Sequence, residues 1–296
     1  MAVLNYAKQY SQALANAYPY TLNFGRLWNT ENASKYRVTG ANTIEIPTLS
    51  TGGRTDGDKT KIGDFTQNFA NGWEPKVLGN HRTWQTLVHP KDIVETNMVS
   101  SISNITQTMN ETEKFPEMDA YLISKLYGLK NALEPITQET VALTATNVLA
   151  KFDKLMEEMD ESLVPANGRI LYVDTFTKTL FKNAVGIVRA NGDKALNREV
   201  NRLDEVEMIS VPSALMKTAY TFGVGYKADI GAKDIAMMLV HPSSVLPVVS
   251  YEFAQAQPPS ALSQGKYVYF EESFEDVFIL NKKHGAIKFV VKKASV

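Results

Sequence analysis

The sequence predicts an α+β fold, and three patterns carry that prediction. Residues 115–133 and 147–163 place apolar side chains every three or four positions, the stripe of an amphipathic helix. Apolar runs of strand length recur at 169–173, 206–211, 235–240 and 286–291. Between residues 40 and 91, alternating segments flank a stretch of turn formers, which describes a long β-hairpin without the means to form a core of its own.

Composition narrows the function classes. With 296 residues, 44% hydrophobic and 10% aromatic, the chain can bury a substantial core as one large domain or two small ones. The formal net charge is -1 and no basic stripe occurs, so nothing predicts direct capture of nucleic acid through phosphate neutralisation. The absence of cysteine removes disulfides, thiolate metal sites and thiol nucleophiles together. No apolar run approaches the roughly 20 residues of a membrane helix, and the first residues lack the basic start and apolar core of a signal peptide. The expectation is a soluble protein made in the cytoplasm, with no membrane partner. N-x-[ST] matches at Asn32, Asn104 and Asn110 then carry no glycosylation meaning.

Residues 1–39, rich in Tyr, Asn and Ala, read as an extended arm with one helical piece at 7–17. The hairpin combines alternating residues 43–49, a charged tip at 51–61 and return strands at 73–78 and 82–88. Trp73 and Trp84 are large aromatics on a segment without a core, expected to anchor an interface, to pack on each other across the ribbon, or both. Polar residues 96–112 predict a short helix or linker. In the helix of 115–133, Pro116 suits the first helical position, Met118, Leu122, Leu126, Leu129 and Leu133 form the stripe, and Pro135 stops it.

The next helix is capped by Thr146 or Asn147 and presents Val148, Phe152, Leu155, Met156, Met159 and Leu163 on one face. Its acidic residues Glu157, Glu158, Asp160 and Glu161 share the opposite, solvated face with Lys151 and Lys154, which argues against a catalytic carboxylate group. A turn at 165–168 and a strand at 169–173 follow, and Asp174 is placed to cap a helix over 176–183. Residues 219–231 read as a long, mobile, Gly-containing loop, 242–248 as the start of a helix and 255–260 as a break. Segments 266–271, 274–280 and 286–291 are the closing strands, the last two joined by a turn at 281–285.

Motifs for chemistry are sparse. Gly223-Val-Gly-Tyr-Lys-Ala matches G-x-G-x-x-A, but it lies in a polar loop late in the chain instead of between a strand and a helix. His81, His89, His241 and His284 are scattered without metalloprotease spacing, and three of them sit beside turn residues. Asp56 and Asp58 are too few carboxylates for a calcium cage. Neither a G-x-S-x-G elbow nor a P-loop occurs. No catalytic residue, metal site or cofactor is expected; a soluble α+β enzyme with its site in 219–231 is the alternative from another class.

The order of these elements is similar to the HK97-type major capsid protein fold of tailed bacteriophages. Residues 42–49 with 82–92 resemble its E-loop, Phe115–Leu133 its spine helix, and 147–183 its A-domain helix-strand-helix, including the Val-Pro-x-x-x-Arg-Ile-Leu-Tyr-Val run at 164–173. Residues 233–241 and 276–289 resemble its closing A-domain and P-domain strands. The resemblance implies an N-terminal arm over 1–39, an extended E-loop hairpin over 40–92, a P-domain with the spine helix over 93–135, an A-domain over 136–254 and closing P-domain strands over 255–296. It also implies a structural protein, not an enzyme, whose copies form hexamers and pentamers of an icosahedral shell around double-stranded DNA. Ile44, Ile46, Arg54, Lys59, Lys61, Trp73, Arg82 and Trp84 are the expected intersubunit contacts. The implied partners are a separate scaffolding protein, a portal protein and packaged DNA held without specific binding, in a virion assembled in the bacterial host cytoplasm. An encapsulin, a cellular compartment of the same fold with enzyme cargo, is the nearest alternative.

Overall fold

The computed structural model describes residues 21–40, 42–54, 56, 60, 67–96, 101–187 and 201–293, and at 185–187 the backbone alone. From the amino end come α1 (Gly25–Trp28), β1 (Arg37–Gly40), β2 (Thr43–Thr51), β3 (Phe69–Val77), β4 (His81–Val88) and α2 (Pro90–Glu95). Next, α3 (Ile102–Met109) runs through a π-helical turn, Asn110–Lys114, into the long helix α4 (Phe115–Leu133). Then follow α5 (Val148–Glu161), β5 (Ile170–Asp174), α6 (Thr175–Ile187), β6 (Arg202–Leu203) and β7 (Val206–Val211). The chain closes with β8 (Tyr220–Gly223), β9 (Gly225–Ala228), β10 (Ile235–Val240), β11 (Val245–Gln257), β12 (Tyr267–Ile279) and β13 (Ile287–Val291).

The central layer is a five-stranded sheet in the order β13-β10-β5-β7-β6, with β5 and β7 parallel. Every residue of β5 and β10 is buried, because both faces of the sheet are covered; this is why they read as continuous apolar runs instead of alternating ones. One face places Ile170, Tyr172, Met238, Val240 and Phe289 in a cluster with Leu122, Ile123 and Leu126 of α4 and with Phe24 and Leu27 of the arm. The other face packs Leu171, Val173, Leu239 and Val290 against Phe152 and Met159 of α5 and Phe181 of α6. Segment 286–291, expected with the closing strands of 255–280, thus joins the central sheet beside β10.

A second sheet has the order β11-β12-β4. Here the expected hairpin is corrected: β4 does not return along the ribbon but pairs with β12, from Tyr267 opposite Val88 to Phe274 opposite His81. The ribbon proper is β1-β2-β3, with Thr43–Thr51 paired to Phe69–Val77. The chain leaves it where Leu78 enters a buried cluster and the Gly79 N–H donates to Asp276 at 2.8 Å. Three further readings change. Residues 219–231 hold the β8–β9 hairpin, whose Tyr220, Phe222 and Tyr226 pack on the core. Residues 242–244 make a single 3-10 turn before β11, and β11 runs through 255 to Gln257.

Both long helices are present, with altered details. Pro116 does not open its helix, since Lys114 and Phe115 already have α dihedrals. Proline lacks the N–H for the carbonyl one turn back and crowds it, and the π turn immediately before takes up that defect. Leu122 and Leu126 are buried as expected, whereas Leu133 is exposed in the last turn. In α5, Val148, Phe152, Leu155 and Met159 are buried, but Leu163 is 91% exposed. The helix has ended by then, and a positive φ of 56° at Leu163 turns its side chain outward. Asn147 spends its side-chain oxygen on the Thr144 N–H at 2.8 Å, so it does not cap α5. Asp174 does cap α6, accepting from the Thr177 N–H at 3.0 Å. On the acidic face of α5, Asp160 is more than solvated: it accepts at 2.6 Å from Arg169, whose side chain is fully buried.

Two buried carboxylates set α4 in place. Asp119 accepts from the backbone N–H groups of Asn23 at 2.8 Å and Phe24 at 3.2 Å, which ties the arm to the helix. Asp276, fully buried on β12, accepts from the Tyr121 hydroxyl at 2.8 Å and the Lys125 ammonium at 3.1 Å in addition to the Gly79 N–H. Burial first, and the adjacent Asp276 charge next, push the Tyr121 hydroxyl far above the usual phenol range. Asp276→Ala would take this acceptor from Tyr121, Lys125 and Gly79, and from the Val277 N–H at 2.7 Å, and should cost about 3 to 5 kcal/mol. Urea unfolding should show the midpoint fall accordingly; an unchanged midpoint would mean that the carboxylate does not hold α4 to β12.

Candidate assembly surface

The ribbon is built on a buried root. Ile44 and Ile46 pack with Leu78, Leu246, Val248 and Phe278, so these two expected intersubunit contacts belong to the subunit's own core. Their alternation was read correctly as a strand, but the face they occupy is closed by residues from β11 and β12. Beyond the root, β1 pairs with β2 no further than Glu45 opposite Arg37, and Pro47 follows where β2 has lost that neighbour. Pro75 lies on β3, an edge strand of its sheet. Both positions tolerate a residue that cannot donate to a ladder.

The distal ribbon is exposed and apolar. Leu49 is 60% exposed, Phe69 53% and Trp73 47%. Trp73 does not touch Trp84; the Arg37 guanidinium lies 3.8 Å from its ring centre, held in turn by Glu45 at 2.6 Å. Arg54 is exposed past the end of β2, and Lys59 and Lys61 lie outside the described residues. The structure therefore keeps Trp73 and Arg54 on the ribbon and moves Arg82 and Trp84 to the second sheet.

Arg82 and Trp84 face inward there. Arg82 grips Glu117 of α4 with two nitrogens, at 2.6 and 3.0 Å, and donates to the Gly223 carbonyl at the β8–β9 turn. Trp84 packs on Tyr269 with ring centres 5.6 Å apart. Both line a cleft of about 540 Å³ bounded by β4, β12, the π turn with the start of α4, and the β8–β9 turn. Glu275 lines it as well, and burial, the largest influence, pushes this carboxyl up to about 7, with Lys114 opposing and Glu117 and Glu252 adding to the rise.

Sequence reading missed two features. The outward face of β11 and β12 carries exposed Tyr251 and Phe253 beside Phe270 and Phe274. The alternation of residues 251–257 was the available signal, hidden because Gln and Pro at 255–260 suggested a break. Glu275 had no signal at all, since its environment is assembled from four separate elements.

Compared with family models and with curated proteins, the sequence matches none. Solved structures do match in fold. The capsid structure of the cyanophage P-SCSP1u aligns with a TM-score of 0.67 at 10% identity, covering 94% of this chain and 90% of that one. The asymmetric unit of the mature capsid of bacteriophage PhiM1 gives 0.62 at 12% identity, over 86% and 83%. The capsid of Ralstonia phage GP4 gives 0.56 at 7% identity, over 95% and 93%. The chain thus has the HK97-like fold of tailed-phage capsid structures, as the order of its elements implied.

Glu275 makes stability depend on pH. Its folded pKa lies above the unfolded carboxylate value, so the native state holds the proton longer, and stability falls as pH rises from about 4.5 through about 7. The loss should reach about 3 kcal/mol above that window. Glu275→Gln should abolish this part of the pH dependence and stabilise the protein at alkaline pH; parallel urea titrations of the two proteins across the range would show it, and identical pH profiles would refute it.

Proposed function

We propose that this chain is a major capsid protein of a tailed phage, whose copies associate into hexamers and pentamers that close an icosahedral shell around double-stranded DNA. The observation that carries this reading is the shared fold with phage capsids, which extends over most of the chain. The ribbon supports it: Leu49, Phe69 and Trp73 sit on a narrow projection that cannot cover them, and a second copy can. A head-to-tail contact of ribbon on neighbour closes into a ring when its rotation divides a full turn. The role is structural and not enzymatic. A scaffolding protein, a portal protein and the packaged DNA are the proposed partners, and a net charge of -1 suits a wall that encloses DNA without gripping it. The proposed location is the virion, after assembly in the bacterial host cytoplasm. No observation favours a cellular compartment with enzyme cargo.

The test separates folding from association. Deleting 52–61, or replacing Trp73 by Ala, removes distal ribbon surface while leaving the root cluster intact, at about 1 to 3 kcal/mol per lost interface anchor. Circular dichroism should remain that of the parent protein, and electron microscopy should show absent or fragile shells. Ile46→Asp should do the reverse and prevent folding, because that residue is in the root. A parent protein that stays monomeric at micromolar concentration, even when produced with its scaffold, would overturn the reading.

A further inference from the structure

The cleft beside β12 lies between a helical wall and a sheet wall, each carrying both apolar and acidic residues. Met109, Met118 and the Trp84 ring provide apolar surface, while Glu113, Glu117, Glu271 and Glu275 provide carboxylates. Strand alternation produces the sheet wall: Glu271, Ser273 and Glu275 share one face of β12, with Trp84 opposite Glu271 and Arg82 opposite Ser273. Two cations answer the four acids. Arg82 is committed to Glu117 at 2.6 Å, and Lys114 reaches Glu271 at 3.4 Å.

Two acids are left over: Glu113 is exposed to solvent, whereas Glu275 is buried. Its side chain is at the cleft wall in a residue only 7% exposed, and no hydrogen bond or ion pair reaches its carboxylate among the described residues. The charged groups around it are Lys114 from the π turn, Glu117 from α4, Glu252 from β11 and Arg82 from β4, with Glu113, Glu271 and His81 lining the same cleft. The Glu275 oxygens keep access to the cleft, and a carboxylate this little solvated and without an ion pair is one that a bound cation would stabilise. Among the described residues no three carboxylates or imidazoles converge closely enough to hold a metal ion, so the missing charge is not that of a divalent cation in an oxygen cage.

We propose that this cleft binds a linear primary alkylammonium ion, with the ammonium on the Glu275 carboxylate and the alkyl chain along Met109, Met118 and Trp84. An ammonium brings three N–H donors to the acceptor oxygens of the Glu275 carboxylate, and the apolar side chains cover its alkyl chain. The site lies within one chain, so the inference stands or falls apart from the shell reading. Binding is linked to a proton. Burial first, with Glu117 and Glu252 adding, holds the Glu275 carboxyl up to about 7, whereas a bound ammonium favours the ionised form, so uptake displaces the proton and strengthens as pH rises. The same chemistry is offered by a free alkylamine and by a lysine side chain of a second copy.

Isothermal titration calorimetry of the purified protein, dissociated and assembled, with n-butylammonium as probe and tetramethylammonium as control, tests the proposal. Dissociated subunits should bind n-butylammonium about tenfold more tightly at about pH 8 than at about pH 6, following the ionised fraction of a group that titrates midway. Proton release should appear as a binding heat that changes with the ionisation enthalpy of the buffer. Glu275→Gln should lose both effects; if that variant does not fold, the buffer-dependent heat of the parent protein decides alone. Binding by dissociated subunits but not by assembled particles would assign the cation to a neighbour's lysine, and binding by both would assign it to a free amine. No binding by dissociated subunits, equal binding of tetramethylammonium, or unchanged binding by Glu275→Gln would overturn the proposal.

Discussion

Asp276 is the point through which the molecule's parts are referred to one another. It belongs to β12, receives the Tyr121 and Lys125 side chains of α4, and receives the Gly79 N–H just where the chain passes from the ribbon to β4. A carboxylate buried this deeply is tolerable only when all its neighbours are in register, so the interaction selects one geometry more than it adds stability. The long helix, the second sheet and the ribbon's exit therefore cannot shift independently. Asp119 extends the same logic to the arm by taking the N–H groups of Asn23 and Phe24.

The layered core beneath is simpler. β5 and β10 are covered on both faces, and their strands need little beyond apolar bulk to find their place. What rises from that core is less well covered: the distal ribbon, and the outer half of the β11–β12 hairpin with Tyr251 and Phe253. The chain thus invests its polar interactions in fixing the direction of projections, and its apolar ones in a closed centre.

The parts legible in the sequence are those whose burial leaves a local period. The stripe of α4, the face of α5, the runs of β5 and β10 and the cap at Asp174 are all decided within a few residues. Partner choice is decided elsewhere. His81 and Glu272 are 191 residues apart and meet across β4 and β12, and no pattern in 82–88 distinguishes pairing with β12 from pairing with the ribbon. For the same reason Ile44 and Ile46 looked like an exposed alternation, since Leu246, Val248 and Phe278, which cover them, come from the far end of the chain. Of the candidate contacts, Trp73 and Arg54 kept their place on the ribbon, while Arg82 and Trp84 proved to line the inner cleft. Glu275 was invisible because a carboxylate's environment is tertiary. The order of elements survived these errors, and order is what the fold likeness rests on.

The π turn at Asn110–Lys114 has a consequence for α3. Such a turn holds one residue more than the α-helical turn it replaces, and each residue advances a helix by about 100°. The azimuth of α3 is therefore offset by that angle from the one α4 alone would dictate, and α3 itself buries no residue that would fix it. The two helices are continuous through that turn, with a dial between them: α4 is clamped by the Asp119 and Asp276 carboxylates, and α3 takes the phase that the extra residue imposes.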